Sequence, residues 1–179
     1  MALLRHVLAI LLAVQALGFN GTLAAADLTD AQLRAGLLYN FAQFVEWPAT
    51  AKADETLLVG VLGDDFLAAG ALHAIAGRKV NGRKVVVRAV DGSDDLERLA
   101  ILYIGADDDR AVAAALARVA RAPVLTVGDN PRFTKLGGIV RLYVDGAKAR
   151  FEINVGRSQQ CDLRISSKLL NLARIMGEP

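Results

Sequence analysis

The chain has 179 residues, a length that suits one domain of ordinary size. Hydrophobic residues make up 54% and charged residues 22%, which excludes general disorder and provides for a packed core. Lys and Arg number 21 against 19 Asp and Glu, a formal charge of +2, so the one-sided basic balance that phosphate backbones require is absent and no nucleic-acid partner is expected.

Arg5 and His6 supply a basic start, and Val7 to Phe19 form an apolar run broken by Gln15. Ala24, Ala25 and Ala26 then give a small-residue cleavage pattern before Asp27. The run is shorter than the roughly 20 residues that cross a bilayer as a helix. Residues 1–26 are therefore expected to be a secretory signal peptide, cleaved near Ala26, with residues 27–179 forming one α/β domain in the periplasm.

Leu33, Leu37, Asn40, Phe41, Phe44 and Val45 recur at three- and four-residue intervals, which predicts a helix capped at Thr29 or Asp30 and ended by Pro48. Thr56 to Leu62 is a continuous apolar run, as a strand covered on both faces requires. Gly63-Asp64-Asp65 turns it into a second helical stretch, Phe66 to Ala76. Val85–Val87, Ile101–Ile104 and Pro123–Val127 read as further strands, with a short helix near Leu96 and an Ala-rich helix from Asp107 to Ala120 between them. This alternation predicts a mainly parallel sheet flanked by helices on both faces. Gly138–Val144 and Ala149–Val155, separated by Asp145-Gly146, predict a C-terminal antiparallel hairpin. Ser166 is placed to cap a last helix, Lys168 to Met176.

The search for chemistry is brief. The turn after the first long strand holds one glycine and two acids, where a dinucleotide fingerprint needs several glycines and no negative charge. His73 has no partner at metal-ligand spacing, and Asp107-Asp108-Asp109 suits a helix start better than an ion. Neither a metal, a cofactor nor a catalytic residue is expected. Cys161 is alone among the 179 residues, so no intramolecular disulfide can form; it is either a buried thiol or a link to another chain.

Three groups remain as candidates for contact or binding. Tyr39, Phe41, Phe44 and Trp47 form an aromatic cluster that serves either the core or a partner and dimer contact. Gly63, Asp64 and Asp65 lie where a ligand crevice opens at the carboxyl ends of parallel strands. Arg150, Glu152 and Asn154 alternate with Phe151, Ile153 and Val155, so the polar set shares one strand face, as an ion pair at the sheet edge or a ligand clamp.

Several stretches together resemble the YfiR family. They are Leu37-Leu38-Tyr39-Asn40-Phe41-Ala42-Gln43-Phe44-Val45-Glu46-Trp47-Pro48, Val59 to Asp65 with Gly77-Arg78-Lys79-Val80, Pro123 to Val127 with Asp129, Phe133, Gly137 and Gly138, and Arg150 to Asn154 followed by Leu163 to Leu170. The resemblance implies a non-catalytic periplasmic regulator that dimerises. It also implies binding to the periplasmic sensor region of an inner-membrane diguanylate cyclase, whose repression lowers cyclic di-GMP and biofilm formation. Relatives of this kind often carry paired cysteines; here Ala100-Ile101-Leu102-Tyr103 stands where a cysteine commonly precedes the third strand. Redox switching through an internal disulfide is thereby excluded. A periplasmic small-molecule sensor is the alternative reading.

Overall fold

Continuous apolar runs become strands, and runs broken at three- and four-residue spacing become helices. The computed structural model describes residues 30–49, 55–63, 70, 74–146 and 148–176. The expected signal peptide, Asp64, Asp65 and His73 lie outside the described residues, as does most of the expected helix 66–76.

Helix α1 (Asp30–Phe44) runs into a two-residue strand, β1 (Val45–Glu46). Then come β2 (Thr56–Leu62), β3 (Lys79–Val80) and β4 (Arg83–Val90). A 3-10 turn at Leu96–Arg98 leads to β5 (Ile101–Ile104), α2 (Asp109–Arg118) and β6 (Leu125–Gly128). The hairpin β7 (Val140–Asp145) and β8 (Lys148–Asn154) follows. The chain finishes with α3 (Val155–Gln160), β9 (Arg164–Ile165), α4 (Ser167–Leu170) and β10 (Arg174–Met176).

Eight strands make one mixed sheet in the order β10-β8-β7-β6-β5-β2-β4-β3. Strands β4, β2, β5, β6 and β7 are mutually parallel, whereas β3 with β4 and β7 with β8 are antiparallel. In chain order the parallel strands lie second, first, third, fourth, fifth, so the direction of winding reverses between β2 and β5. The β3–β4 turn places Asn81 at φ 50° and Gly82 at φ 84°, the left-handed pair that a two-residue hairpin favours.

The sheet divides the core in two because successive strand residues face opposite sides. Ile101 and Tyr103 of β5 join Leu125 and Val127 of β6 beneath Ala35, Leu38, Phe41 and Ala42 of α1. Leu102 and Ile104 point the other way, toward Val112, Ala115 and Leu116 of α2 and the ring of Phe133. Each such side chain, fully removed from water, stabilises by about 1.5–3 kcal/mol before entropy is counted.

Two expectations need correction. The buried stripe of α1 is Ala35, Leu38, Phe41 and Ala42, continued by Val45 of β1, whereas Leu33 and Asn40 are exposed. The helix has apolar residues on more than one side, so spacing alone chose a face rotated from the one that meets the sheet. The last helix does not run to Met176 either. It stops at Leu170, once Leu169 is buried, and Arg174–Met176 is drawn into the sheet as a parallel neighbour of β8.

Candidate functional site

The reversal of winding places the carboxyl ends of β2, β5 and β6 together, where a doubly wound sheet offers a crevice. Gly63, at φ +77°, brings its turn to the Gly105 backbone: a Cβ there would lie 3.8 Å from the Gly105 carbonyl group. The Gly105 N–H donates to the Leu62 carbonyl at 2.8 Å, closing the two turns on each other. Of the three crevice candidates only Gly63 is described; Asp64 and Asp65 follow it in sequence.

Beside this crevice α1 contributes Arg34. Its guanidinium donates to Asp129 at 2.6 Å and to the hydroxyl of Tyr103 at 2.8 Å. Burial pushes the Tyr103 phenol well above its ordinary range, the nearby Asp129 charge adds to this, and Arg34 opposes it. Tyr103 is thus a neutral hydrogen-bonding post, unsuited to act as a base near neutral pH. Asn130 is the next lock: its amide donates to the Asp107 carbonyl at 2.8 Å and to Asp109 at 3.1 Å, and its oxygen accepts from the Arg132 N–H at 2.7 Å.

Two of the three consecutive acids are occupied structurally. Asp108 caps α2 by accepting from the Ala111 N–H at 2.9 Å, and Asp109 pairs with Arg132 at 2.7 Å. Among the described residues no group of three His, Cys, Asp or Glu side chains could hold a metal ion.

The aromatic cluster divides between inside and outside. Phe41 is 0% exposed and meets Phe151 edge to face at 5.1 Å. Trp47 is 5% exposed, and its Nε1 donates to the Ala100 carbonyl at 3.1 Å. Both side chains serve the core. Phe44 and Tyr39 are half-buried; Tyr39 carries the Arg78 guanidinium 3.9 Å above its ring and donates to the Lys79 carbonyl at 3.2 Å.

On the polar face of β8, Arg150 and Glu152 each find a partner on β7. Glu152 is buried, accepts from the Thr134 hydroxyl at 2.7 Å and lies 3.6 Å from Arg141 across the strand. Arg150 is exposed and reaches Asp145 at 3.8 Å. Asn154 caps α3 through the Arg157 N–H at 2.9 Å. Cys161 is buried, and that burial raises its thiol above the usual range.

Sequence reasoning missed two hollows beside Trp47. One, of about 480 Å³, is lined by Glu46, Trp47, Pro48, Gln159, Leu163 and Arg164 among others. The second, of about 590 Å³, lies between Glu46, Trp47, Leu57, Val80 and Arg83. The first lies where β1 pairs with β9, a contact between chain segments more than 100 residues apart for which two-residue strands leave no readable pattern.

Two comparisons place this arrangement among known proteins. The sequence model described as YfiR/HmsC-like matches residues 31–174. The crystal structure of a conserved domain protein from Vibrio cholerae O1 biovar El Tor strain N16961 superposes with a TM-score of 0.55 at 13% identity. The superposition covers 83% of this chain and 60% of that one, and at this identity it speaks to the fold alone. Among the described residues no helix is long and apolar enough to cross a membrane.

Proposed function

The chain belongs to the YfiR/HmsC-like family, and from that premise we propose that it is a non-catalytic regulator of the periplasm, exported by a signal peptide over residues 1–26. Its action is to bind the periplasmic sensor region of an inner-membrane diguanylate cyclase and hold it inactive, as a homodimer. The observation that carries this reading is the family match across residues 31–174. The side chains at the strand ends support it, because Arg34 engages Tyr103 and Asp129, Asn130 engages Asp109, and both sets hold elements in place.

Cellular cyclic di-GMP, measured with and without the gene, tests the proposal. A rise on deletion supports repression, and recovery of a cyclase on the purified domain then identifies the target. An unchanged level while the protein is expressed overturns it.

One feature favours a second reading, a small-ligand sensor: the junction of β2 and β5, where the Gly105 N–H donates to the Leu62 carbonyl beside Gly63, occupies the place where parallel sheets take ligands. In that reading Gly63, Asp64 and Asp65 line the crevice. A thermal-shift survey of small polar metabolites would raise the melting temperature for a true ligand, and D64N/D65N would abolish the shift.

A further inference from the structure

We infer that the outer edge of β10 receives an extended segment of a partner protein in which acidic and apolar residues alternate, an inference that rests on reading the chain as a protein-binding regulator. Strand β10 ends the sheet, and β8 is its one neighbour among the described residues. Its outward backbone groups are a template for strand addition. Ile175, 47% exposed, stands at this edge in register beside the buried Ile153, and Leu172, 72% exposed, lies in the turn that leads into the strand.

The opposite face of the same edge is basic. Arg174 is in register with Glu152, which is itself paired with Arg141, and Arg150 lies two residues earlier on the same face. Arg141, 3.6 Å away, offsets the buried Glu152 carboxylate, and Arg150 and Arg174 add two further cations to this face. The Nε of Arg141 is buried without a hydrogen-bond partner, and Arg150 and Arg174 are exposed. A carboxylate arriving at the edge would meet the exposed guanidinium of Arg174 first and that of Arg150, beside Asp145, one strand further in, and bidentate pairing is the arrangement guanidinium groups favour.

An added strand sends successive side chains to opposite faces, so acids on the Arg174 side and apolar residues on the Ile175 side satisfy both at once. A second copy of this chain fits less well, because edge-to-edge pairing would bring its own arginine-bearing edge against this one, and like charges on facing strands repel.

Fluorescence anisotropy on the purified protein, with short labelled peptides of alternating Val and Glu or alternating Val and Lys, tests this. The Val–Glu peptide should bind, weaken about tenfold or more in high salt, and lose affinity when alternate amides are N-methylated. The Val–Lys peptide should not bind. The double variant R150E/R174E changes two exposed side chains and should keep its circular dichroism while losing the Val–Glu peptide. Absent binding, equal binding of both peptides, unchanged binding by the folded double variant or by the N-methylated peptide, or a homodimer that occludes β10, would each overturn the inference. Since no cyclase enters the assay, its failure leaves the cyclic di-GMP experiment to judge the proposed function separately.

Discussion

The indole of Trp47 donates its Nε1–H to the carbonyl of Ala100, 53 residues away, at 3.1 Å. The bond ties the exit of α1 to the start of β5, inside the core that α1 forms with the sheet. W47A should lower unfolding free energy by about 3–5 kcal/mol, as removal of a buried large aromatic does. W47F should cost less, about 0.5–1.5 kcal/mol, because the Ala100 carbonyl keeps the Leu125 N–H at 2.9 Å. Chemical denaturation checks both. A stable W47A that has lost partner binding would instead place Trp47 in a contact surface.

Tyr103 gives a prediction about pH. Its folded phenol sits above the unfolded value of about 10, with burial the main cause and the Asp129 charge next. The folded state therefore keeps a proton that the unfolded chain releases. Its contribution is fully present below pH 10 and is lost as pH rises beyond that value toward the folded one. The wild type should lose stability on raising the pH from about 9.5 to 11 more steeply than Y103F. Parallel alkaline denaturation curves for the two would contradict this account of Tyr103.

Phe133 lies in the turn between β6 and β7, and its ring covers both Gly128 and Gly138 so closely that a Cβ at either position would overlap it. G128A and G138A should each cost about 1–3 kcal/mol through overpacking. In the F133L background the added methyl should be tolerated better, giving a coupling of at least about 0.5 kcal/mol in a double-mutant cycle. Additive losses would mean that the clash is relieved elsewhere.

Cys161 is 3% exposed and its thiol is held above the usual range by burial. Because the thiolate is the reactive form, a thiol-specific dye should label the native protein no faster than it unfolds, then react fully in denaturant. Rapid native labelling would show that Cys161 is open to solvent and to a second chain.

The parts of the fold legible in the sequence are those set by local pattern. Ile101–Ile104 is read as a strand with its bounds intact because four consecutive apolar residues must be covered on both sides. The hairpin at Asp145-Gly146 is equally plain, with Gly146 at φ 61°. What escaped depends on distant partners. Leu169 to Met176 has no intrinsic preference strong enough to prevail over the open edge of β8, so a helical expectation gave way to a strand. Arg34 and Asp129 are 95 residues apart, and nothing in either neighbourhood announces that they meet. The same holds for Arg141, which had to be found opposite Glu152 before the charge on that face made sense.

The order of the strands carries a consequence for how the protein is made. From β5 onward, β6, β7 and β8 are each laid against the strand that precedes them in the chain. A polypeptide delivered amino end first can thus grow its sheet by accretion, each arriving strand finding a waiting edge. One seam must wait for the carboxyl end of the chain: β1 pairs with β9, and the Ser166 N–H reaches back to the Phe44 carbonyl at 2.8 Å. Until residues 164–166 arrive, the carboxyl end of α1 lacks this stitch, so truncation before them would strip β10 from the sheet and leave the exit of α1 tied by Trp47 to Ala100 without its second fastening.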